Sequence, residues 1–268
     1  MRMTTRAPAV AGTFYPDDPV VLSEMISALL SEAEHHETAS STLPKAIITP
    51  HAGYIYSGPI AASVYARLNS GTGVIRRVVL LGPAHRVPIA GLALPAAEAF
   101  ATPLGTVSVD QDAVKLLLHL RQVTQSADAH AWEHSLEVQL PFLQQVLGDF
   151  KLVPLVVGDA APEEVAEVLE TLWGGPETLI VVSSDLSHYL PYELAQRTDK
   201  DTADNILALE ASLNHRQACG AAPVNGLLLA ARKHQMRARL IDLRNSGDTA
   251  GSHREVVGYG AFTFFEGS

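Results

Sequence analysis

The chain has 268 residues, of which 47% are hydrophobic and 18% are charged, and its formal net charge at pH 7 is −10. This composition supplies enough apolar side chains for a large core and differs from that of a disordered chain. The acidic balance argues against a nucleic-acid backbone or an anionic membrane surface as partner, because both attract clustered Lys and Arg. We therefore expect a soluble globular protein with neither a nucleic-acid nor a membrane partner.

The sequence carries no pattern typical of export. Arg2 and Arg6 are not followed by the apolar segment of a signal peptide, and the apolar stretch at residues 227–231 is too short to span a bilayer. The single cysteine, Cys219, excludes an intramolecular disulfide. The cytoplasm is therefore the expected compartment.

Short apolar runs alternate with amphipathic segments along the whole chain. In chain order they predict helix 20–34, strand 46–49, helix 59–68, strand 78–81, helix 113–122, strand 152–157, helix 162–173, strand 179–182, helices 193–213 and 224–234, and strands 239–243 and 259–265. This alternation predicts an α/β fold with a mainly parallel central sheet and helices on both faces. Neither a repeat nor a linker interrupts the pattern, so residues 1–268 are expected to form one domain, with residues 34–42 as a surface loop.

Several common chemistries find no motif in this chain. A P-loop, a Gly-x-Ser-x-Gly elbow and a His-Glu-x-x-His helix are all missing from the sequence. The Gly71-Thr72-Gly73 segment lacks the third glycine and the preceding strand of a dinucleotide-binding fingerprint. Nucleotide cofactors are therefore not indicated.

Three histidines follow predicted strands at the points where those strands end. His51, His85 and His188 come after strands 46–49, 78–81 and 179–182, each through turn residues such as Pro, Gly or Ser. A lone loop histidine is ordinarily a solvated or structural side chain. Parallel strands, however, end at the same edge of a sheet, where catalytic groups lie in α/β proteins. Three such coincidences favour a shared site.

Two further features have both a structural and a functional interpretation. His134 and Glu137 are three residues apart at the predicted start of an amphipathic helix, so they share one helix face. They can be interpreted either as a solvated first turn or as a partner or proton relay of the site. Cys219 precedes Gly220 and a predicted helix, a setting that suits either a buried structural thiol or a thiolate. The residue pattern alone leaves both pairs of alternatives open.

The histidines and the cysteine lie in longer blocks of sequence. These blocks are residues 9–15 (AVAGTFY), 50–58 (PHAGYIYSG), 81–88 (LGPAHRVP), 133–141 (EHSLEVQLP), 183–188 (SSDLSH) and 219–220 (CG). In this order they resemble the Memo family, which includes component B of the AmmeMemoRadiSam system, over nearly the whole chain. The resemblance implies a fold related to the class III extradiol (LigB-type) dioxygenases, which use non-haem Fe(II).

The resemblance also implies roles for individual residues. It implies a metal ion bound by His51, His85 and Cys219, with Fe(II) the expected ion and Cu or Zn as alternatives. His188 would then act as the acid/base histidine beside Asp185, and His134 would line the pocket. The ring-cleaving relatives use Glu as third ligand, whereas a thiolate here favours softer ions such as Cu(I), Zn(II) or Fe(II).

The function expected from this resemblance is a dioxygenase-like, metal-dependent oxidoreductase that acts on a small chelating or phenolic substrate. One alternative is a non-catalytic metal- or peptide-binding module, since animal Memo proteins are described as signalling effectors. Another is a hydrolase in which the nucleophile is either a Zn(II)-activated water or Cys219 paired with a histidine. The genomic companions of the family imply a radical-SAM protein and an AMMECR-type protein as partners.

Overall fold

The computed structural model describes residues 4–34 and 42–267. Its helices and strands, in chain order, are β1 (Thr5–Arg6), α1 (Pro19–Glu34), β2 (Ala46–Thr49), α2 (Tyr54–Tyr65), β3 (Arg77–Pro83), β4 (Leu92–Leu94), β5 (Ala99–Thr102), β6 (Gly105–Ser108), α3 (Gln111–Leu117), β7 (Val123–Gln125), α4 (Ala127–Ala131), α5 (Leu140–Leu147), β8 (Lys151–Val157), α6 (Pro162–Thr171), β9 (Thr178–Ser183), β10 (His188–Leu190), α7 (Tyr192–Leu207), α8 (Ala221–Lys233), β11 (Arg237–Asn245) and β12 (Val256–Phe265). Short 3₁₀ helices cover Ala66–Gly71, Glu137–Gln139 and Ser246–Asp248.

Nine strands form the central sheet in the order β10-β12-β2-β9-β3-β8-β4-β7, with β11 paired to β12. The four middle strands, β2, β9, β3 and β8, are parallel to one another. The flanks are different: β12 runs antiparallel to β2, β10 and β11, and β4 runs antiparallel to β8. The sheet is therefore mixed. The prediction of a mainly parallel sheet is correct for its centre, whereas among the described flanking strands only β4 and β7 pair in parallel. β1, β5 and β6 form a separate small sheet.

The middle strands form the core because their sequences are apolar throughout. Every residue of β2 and of β9 is buried. Successive strand residues point to opposite faces, so full burial means that both faces of the sheet are covered, as predicted for an α/β fold. Residues 46–49 form a strand with the predicted limits, and the other predicted strands are extended by one to three residues at their ends.

The helices depart further from the sequence prediction. α7 ends at Leu207 and α3 at Leu117, both well before the predicted ends. The segment from Trp132 to Leu136 is not helical, so the expected helix start at His134 is wrong, and α5 begins only at Leu140. The predicted loop at 34–42 lies largely outside the described residues. Within the described ranges, no helix is long and apolar enough to cross a membrane.

The topology places the ends of β2, β3 and β9 at one edge of the sheet. Thr49 of β2 is opposite Ser183 of β9, and Leu81 of β3 is opposite Val182 of β9. The residues that follow these strands therefore leave the sheet side by side. This edge carries the site described below.

Candidate metal centre

Three histidines converge beside the carboxyl edge of the middle strands. One ring nitrogen from each of His51, His85 and His134 lies within 4.8 Å of the others. Their ring centroids are 4.7 to 5.6 Å apart. His51 and His85 follow β2 and β3, whereas His134 enters from the irregular segment between α4 and α5. His51 is buried and His85 is the exposed member of the set, so the cluster opens on the side of His85.

The hydrogen-bond network fixes the tautomer of His51. The Ser183 hydroxyl donates to the Ser135 carbonyl oxygen at 2.6 Å and accepts from Gln139 Nε2 at 2.8 Å. Its single proton is therefore used, and the 2.9 Å contact with His51 Nδ1 must be an N–H donated by the ring. His51 Nε2 then carries the free lone pair, which is the arrangement that second-sphere groups impose on metal-binding histidines.

Glu133 fixes the hydrogen-bonding role of the His85 ring in the same way. Its Oε1 accepts from His85 Nδ1 at 2.9 Å and from the Ser135 N–H at 2.9 Å, while its Oε2 accepts from the His85 N–H at 2.6 Å. Burial alone would raise the pKa of Glu133, but these hydrogen bonds and the nearby His85 ring lower it to about 2. An ionised carboxylate can only accept, so His85 donates through Nδ1 and keeps Nε2 for a ligand. Sequence analysis missed Glu133, although it directly precedes His134.

His134 carries a buried ring nitrogen that lacks a partner. Its Nδ1 has no hydrogen bond within the described part of the chain, and Glu133 Oε1 lies 3.5 Å away. The ring packs against Phe14, with centroids 4.9 Å apart. A buried polar atom without a partner is costly unless a ligand satisfies it.

The charge state of the cluster suits a cation. Burial, reinforced by neighbouring histidines, lowers the pKa of His51 to about 3 and that of His134 to about 4. Both imidazoles are therefore neutral at neutral pH, which is the form that binds metal ions. Three imidazoles, of which His51 and His134 are neutral, with an ionised Glu133 behind His85, fit a transition-metal ion such as iron, copper or zinc. The cluster can hold a metal ion.

Cys219 lies next to one member of this cluster. Its Sγ is 3.3 Å from His51 Nε2, 3.6 Å from the Asp185 carbonyl oxygen and 3.8 Å from Ser184 Oγ. Burial and the Asp185 carboxylate raise the pKa of the thiol to about 12 in the metal-free chain. Among the described residues, the group of ligand atoms that all lie within 4.8 Å of one another contains His134 and not Cys219. The ligand set of His51, His85 and Cys219 stays a prediction.

Asp185 is tied to His51 rather than to His188. Its Oδ1 accepts from the His51 N–H at 2.7 Å, and its Oδ2 is 4.0 Å from His51 Nε2. Burial raises the pKa of Asp185, against the effect of that N–H donor and of the nearby histidines. Asp185 therefore fixes the loop after β9 onto the loop after β2. Its predicted role beside His188 has no direct hydrogen bond to support it.

His188 faces a large cleft at the same edge of the sheet. Its Nδ1 donates to the Leu186 carbonyl oxygen at 2.9 Å, so Nε2 is the ring nitrogen left for a ligand. His85, His188 and Cys219 all line this cleft, whose volume is about 1050 Å³. The loop is held from below by the buried carboxylate of Asp199, which accepts from the Ser187 N–H at 2.9 Å. The acid/base role of His188 stays a prediction.

Glu137 has a structural role that sequence analysis did not assign. It does not share a helix face with His134 but is fully buried, with Oε2 2.5 Å from Arg6 Nη1 and Oε1 2.6 Å from the Tyr15 hydroxyl. Arg6 also donates to the carbonyl oxygens of His130 and Glu133. Residues 6–15 therefore clamp the segment that carries Glu133 and His134.

Together these features define an α/β protein with a mixed sheet and a three-histidine candidate metal centre at the carboxyl edge of its parallel strands. The family model for Memo-like proteins matches residues 6–263, and the chain belongs to this family. It is 36% identical to a MEMO1 family protein of Aquifex aeolicus, over 96% of this chain and 98% of the relative. It is 35% identical to a MEMO1 family protein of Methanopyrus kandleri, over 98% of this chain and 99% of the relative.

A solved structure shows a similar fold. An uncharacterized protein from Escherichia coli K12 superposes with a TM-score of 0.51, covering 81% of this chain and 99% of that chain at 18% sequence identity. At this identity the likeness concerns the fold alone. It supports a mixed α/β architecture and leaves the expected relation to the extradiol dioxygenases as a prediction.

Proposed function

We propose that this protein is a metal-dependent oxidoreductase with Fe(II) as its ion, acting on a small chelating or phenolic substrate that enters the cleft beside His188. The observation that carries the proposal is the convergence of three imidazoles on one point at the exposed side of His85. The second-sphere partners take up the Nδ1 positions of His51 and of His85, so Nε2 of each ring is the nitrogen left for a metal ion and neither ring has to rearrange. The cleft gives a substrate access to the same point.

An Fe(II) ion bound there supplies Lewis-acid and redox chemistry for a chelating substrate. The chain itself supplies orientation and proton transfer. Glu133 holds His85 through both its backbone and its ring, and Ser183 holds His51. His188 lies in the cleft wall with Nε2 free to take the proton of a substrate hydroxyl, because its Nδ1–H is already donated to the Leu186 carbonyl oxygen.

The proposal is tested by anaerobic reconstitution of the chain with Fe(II), followed by an oxygen-electrode assay with catechols and phenolic acids. We expect one ion per chain and substrate-dependent oxygen consumption. His188→Ala should keep the metal and lower the turnover by roughly 10²-fold. His253→Ala is the matched control, because the His253 ring stacks on that of Tyr192, with centroids 4.2 Å apart, and does not line the cleft. This substitution should change neither the metal content nor the turnover. Failure to bind Fe(II), or metal loss in His188→Ala, contradicts the proposal. Copper held without turnover favours a binding module instead.

A cysteine hydrolase is the second candidate, because Cys219 Sγ lies 3.3 Å from His51 Nε2. A nucleophilic cysteine needs a lowered thiol pKa, whereas burial and the Asp185 carboxylate raise that of Cys219 to about 12. The oxidoreductase is therefore the better supported function. Metal-independent hydrolysis of p-nitrophenyl acetate that disappears in Cys219→Ala would reverse this order.

A further inference from the structure

The cleft is larger than a single-ring substrate requires. Its volume of about 1050 Å³ lies at the upper end of pockets that hold whole drug-sized molecules. Besides His85, His188 and Cys219, its wall includes the apolar side chains of Ile89, Leu190 and Leu194. The cleft can therefore bury an apolar body that extends beyond the group held at the histidines.

Arg216 is a cation in this wall that the protein itself does not use. The side chain is exposed and lines the cleft, and within the described residues it forms neither a hydrogen bond nor an ion pair. Only 19 residues of the chain are Lys or Arg, against 29 that are Asp or Glu, so acidic partners are abundant. A guanidinium left free beside a cleft in such a chain is available to an anionic ligand.

The position of Arg216 is fixed relative to the metal centre. It lies on a hydrogen-bonded turn in which Asn214 Oδ1 accepts from the Arg216 N–H at 2.9 Å and the Asn214 carbonyl oxygen accepts from the Ala218 N–H at 3.1 Å. Cys219, whose sulfur touches His51, follows three residues after Arg216. Three residues span at most about 11 Å, so one ligand of moderate length can reach both the histidines and the guanidinium.

We propose that the cleft binds an amphipathic carboxylate, with its carboxylate group paired to Arg216, its apolar body along Ile89, Leu190 and Leu194, and its other end at the candidate metal centre. A carboxylate matches the planar fork of the guanidinium through two parallel hydrogen bonds. Asp159, an exposed carboxylate in the same wall, repels a second carboxylate, so a carboxylate ligand pairs on the Arg216 side of the cleft. The location of the far end rests on the proposed metal function.

The test compares two hydroxamates of equal length that differ only at the far end. Octanohydroxamate ends in a methyl group and suberic monohydroxamate ends in a carboxylate, and both bind Zn(II) through the hydroxamate. Their dissociation constants are measured by calorimetry on the Zn(II)-loaded wild-type chain and on Arg216→Gln. Asp159→Asn is the matched control, because it removes the charge of a carboxylate in the same wall.

We expect suberic monohydroxamate to bind the wild-type chain about fivefold more tightly than octanohydroxamate, a modest factor because Arg216 is exposed. This preference should vanish in Arg216→Gln and persist in Asp159→Asn. Equal affinities in the wild-type chain, or equal losses in the two variants, overturn the proposal.

A second measurement separates this inference from the metal function. Octanoate binding to the metal-free chain, followed by NMR line broadening, should weaken in Arg216→Gln, whereas octanamide binding should not. If hydroxamates fail to bind but the octanoate signal still depends on Arg216, the proposed metal centre is contradicted and the role of Arg216 is supported. An octanoate signal that is the same in both chains contradicts the role of Arg216.

Discussion

Replacing Glu133 by glutamine tests the candidate metal centre most directly, because the change keeps the size of the side chain and removes its charge. The carboxylate accepts three hydrogen bonds, two of them from His85 and one from the Ser135 N–H. A glutamine amide offers only one oxygen, and its nitrogen is a donor. In either orientation of the amide, at least one N–H of His85 or Ser135 therefore faces another N–H.

The magnitude follows from the lost partners. A buried donor left without an acceptor costs about 1–3 kcal/mol, so we expect the free energy of unfolding of the metal-free Glu133→Gln chain to fall by that amount. Removal of the group that orients a metal-binding histidine costs about 10- to 100-fold in metal affinity. The dissociation constant for Fe(II) should therefore rise by about 10- to 100-fold.

The assay is anaerobic competition for Fe(II) against a chromophoric chelator, with urea denaturation of the metal-free chains alongside. Glu170→Gln is the control, because Glu170 Oε1 makes a carboxylate–histidine contact of 2.9 Å with His234 Nε2 outside the histidine cluster. It should leave the affinity for Fe(II) unchanged. If Glu133→Gln binds Fe(II) as tightly as the wild-type chain, His85 is not a ligand oriented by Glu133 and the three-histidine centre is wrong.

Three further predictions concern residues around the centre. Arg6→Gln breaks a buried ion pair, so the free energy of unfolding measured by urea denaturation should fall by about 3–5 kcal/mol. The absorption spectrum of the Co(II)-loaded chain should also change, because Arg6 holds the segment that carries His134. An unchanged spectrum contradicts this coupling. Burial lowers the pKa of His130 from 6.5 to about 4, so the folded chain resists protonation of this ring. As the pH falls from 6.5 to about 4, the free energy of unfolding of the wild-type chain should drop by up to about 3 kcal/mol relative to that of His130→Asn. Parallel pH profiles of the two unfolding free energies would refute this prediction. Cys219→Ser should lower the preference for Cu(I) over Fe(II) in chelator competition, because a hydroxyl oxygen is a poor ligand for a soft ion. An unchanged preference would show that the Cys219 sulfur is not a ligand.

The strand-end part of the site was predictable because it depends on local pattern. The apolar runs before His51 and His85 end in Pro or Gly turn residues, and parallel pairing brings the strand ends together. The direction of the flanking strands was not predictable in the same way. β12 reads as an apolar strand whichever way it runs, and only its pairing with β2 shows that it is antiparallel.

Other parts of the fold and site lacked a local signal. β4 and β7 have three residues each, too few to display an alternating pattern. Glu133 and His134 lie in an irregular segment whose conformation is set by contacts distant in sequence, such as the ion pair between Arg6 and Glu137, which are 131 residues apart. The sequence block around His134 indicated a role in the pocket, but not that its ring would stand beside those of His51 and His85.

These long-range contacts explain why metal binding and folding should be coupled in this protein. The centre is assembled from the end of β2, the end of β3 and the clamped segment between α4 and α5, and none of these holds more than one of the three histidines. Ser135 links them, because its carbonyl oxygen accepts from Ser183 beside His51 and its hydroxyl donates to the Pro83 carbonyl oxygen beside His85. An ion that binds all three histidines therefore acts as a cross-link between segments that are distant in sequence. Because the unfolded chain does not hold these groups together, the binding free energy adds to the stability of the folded state.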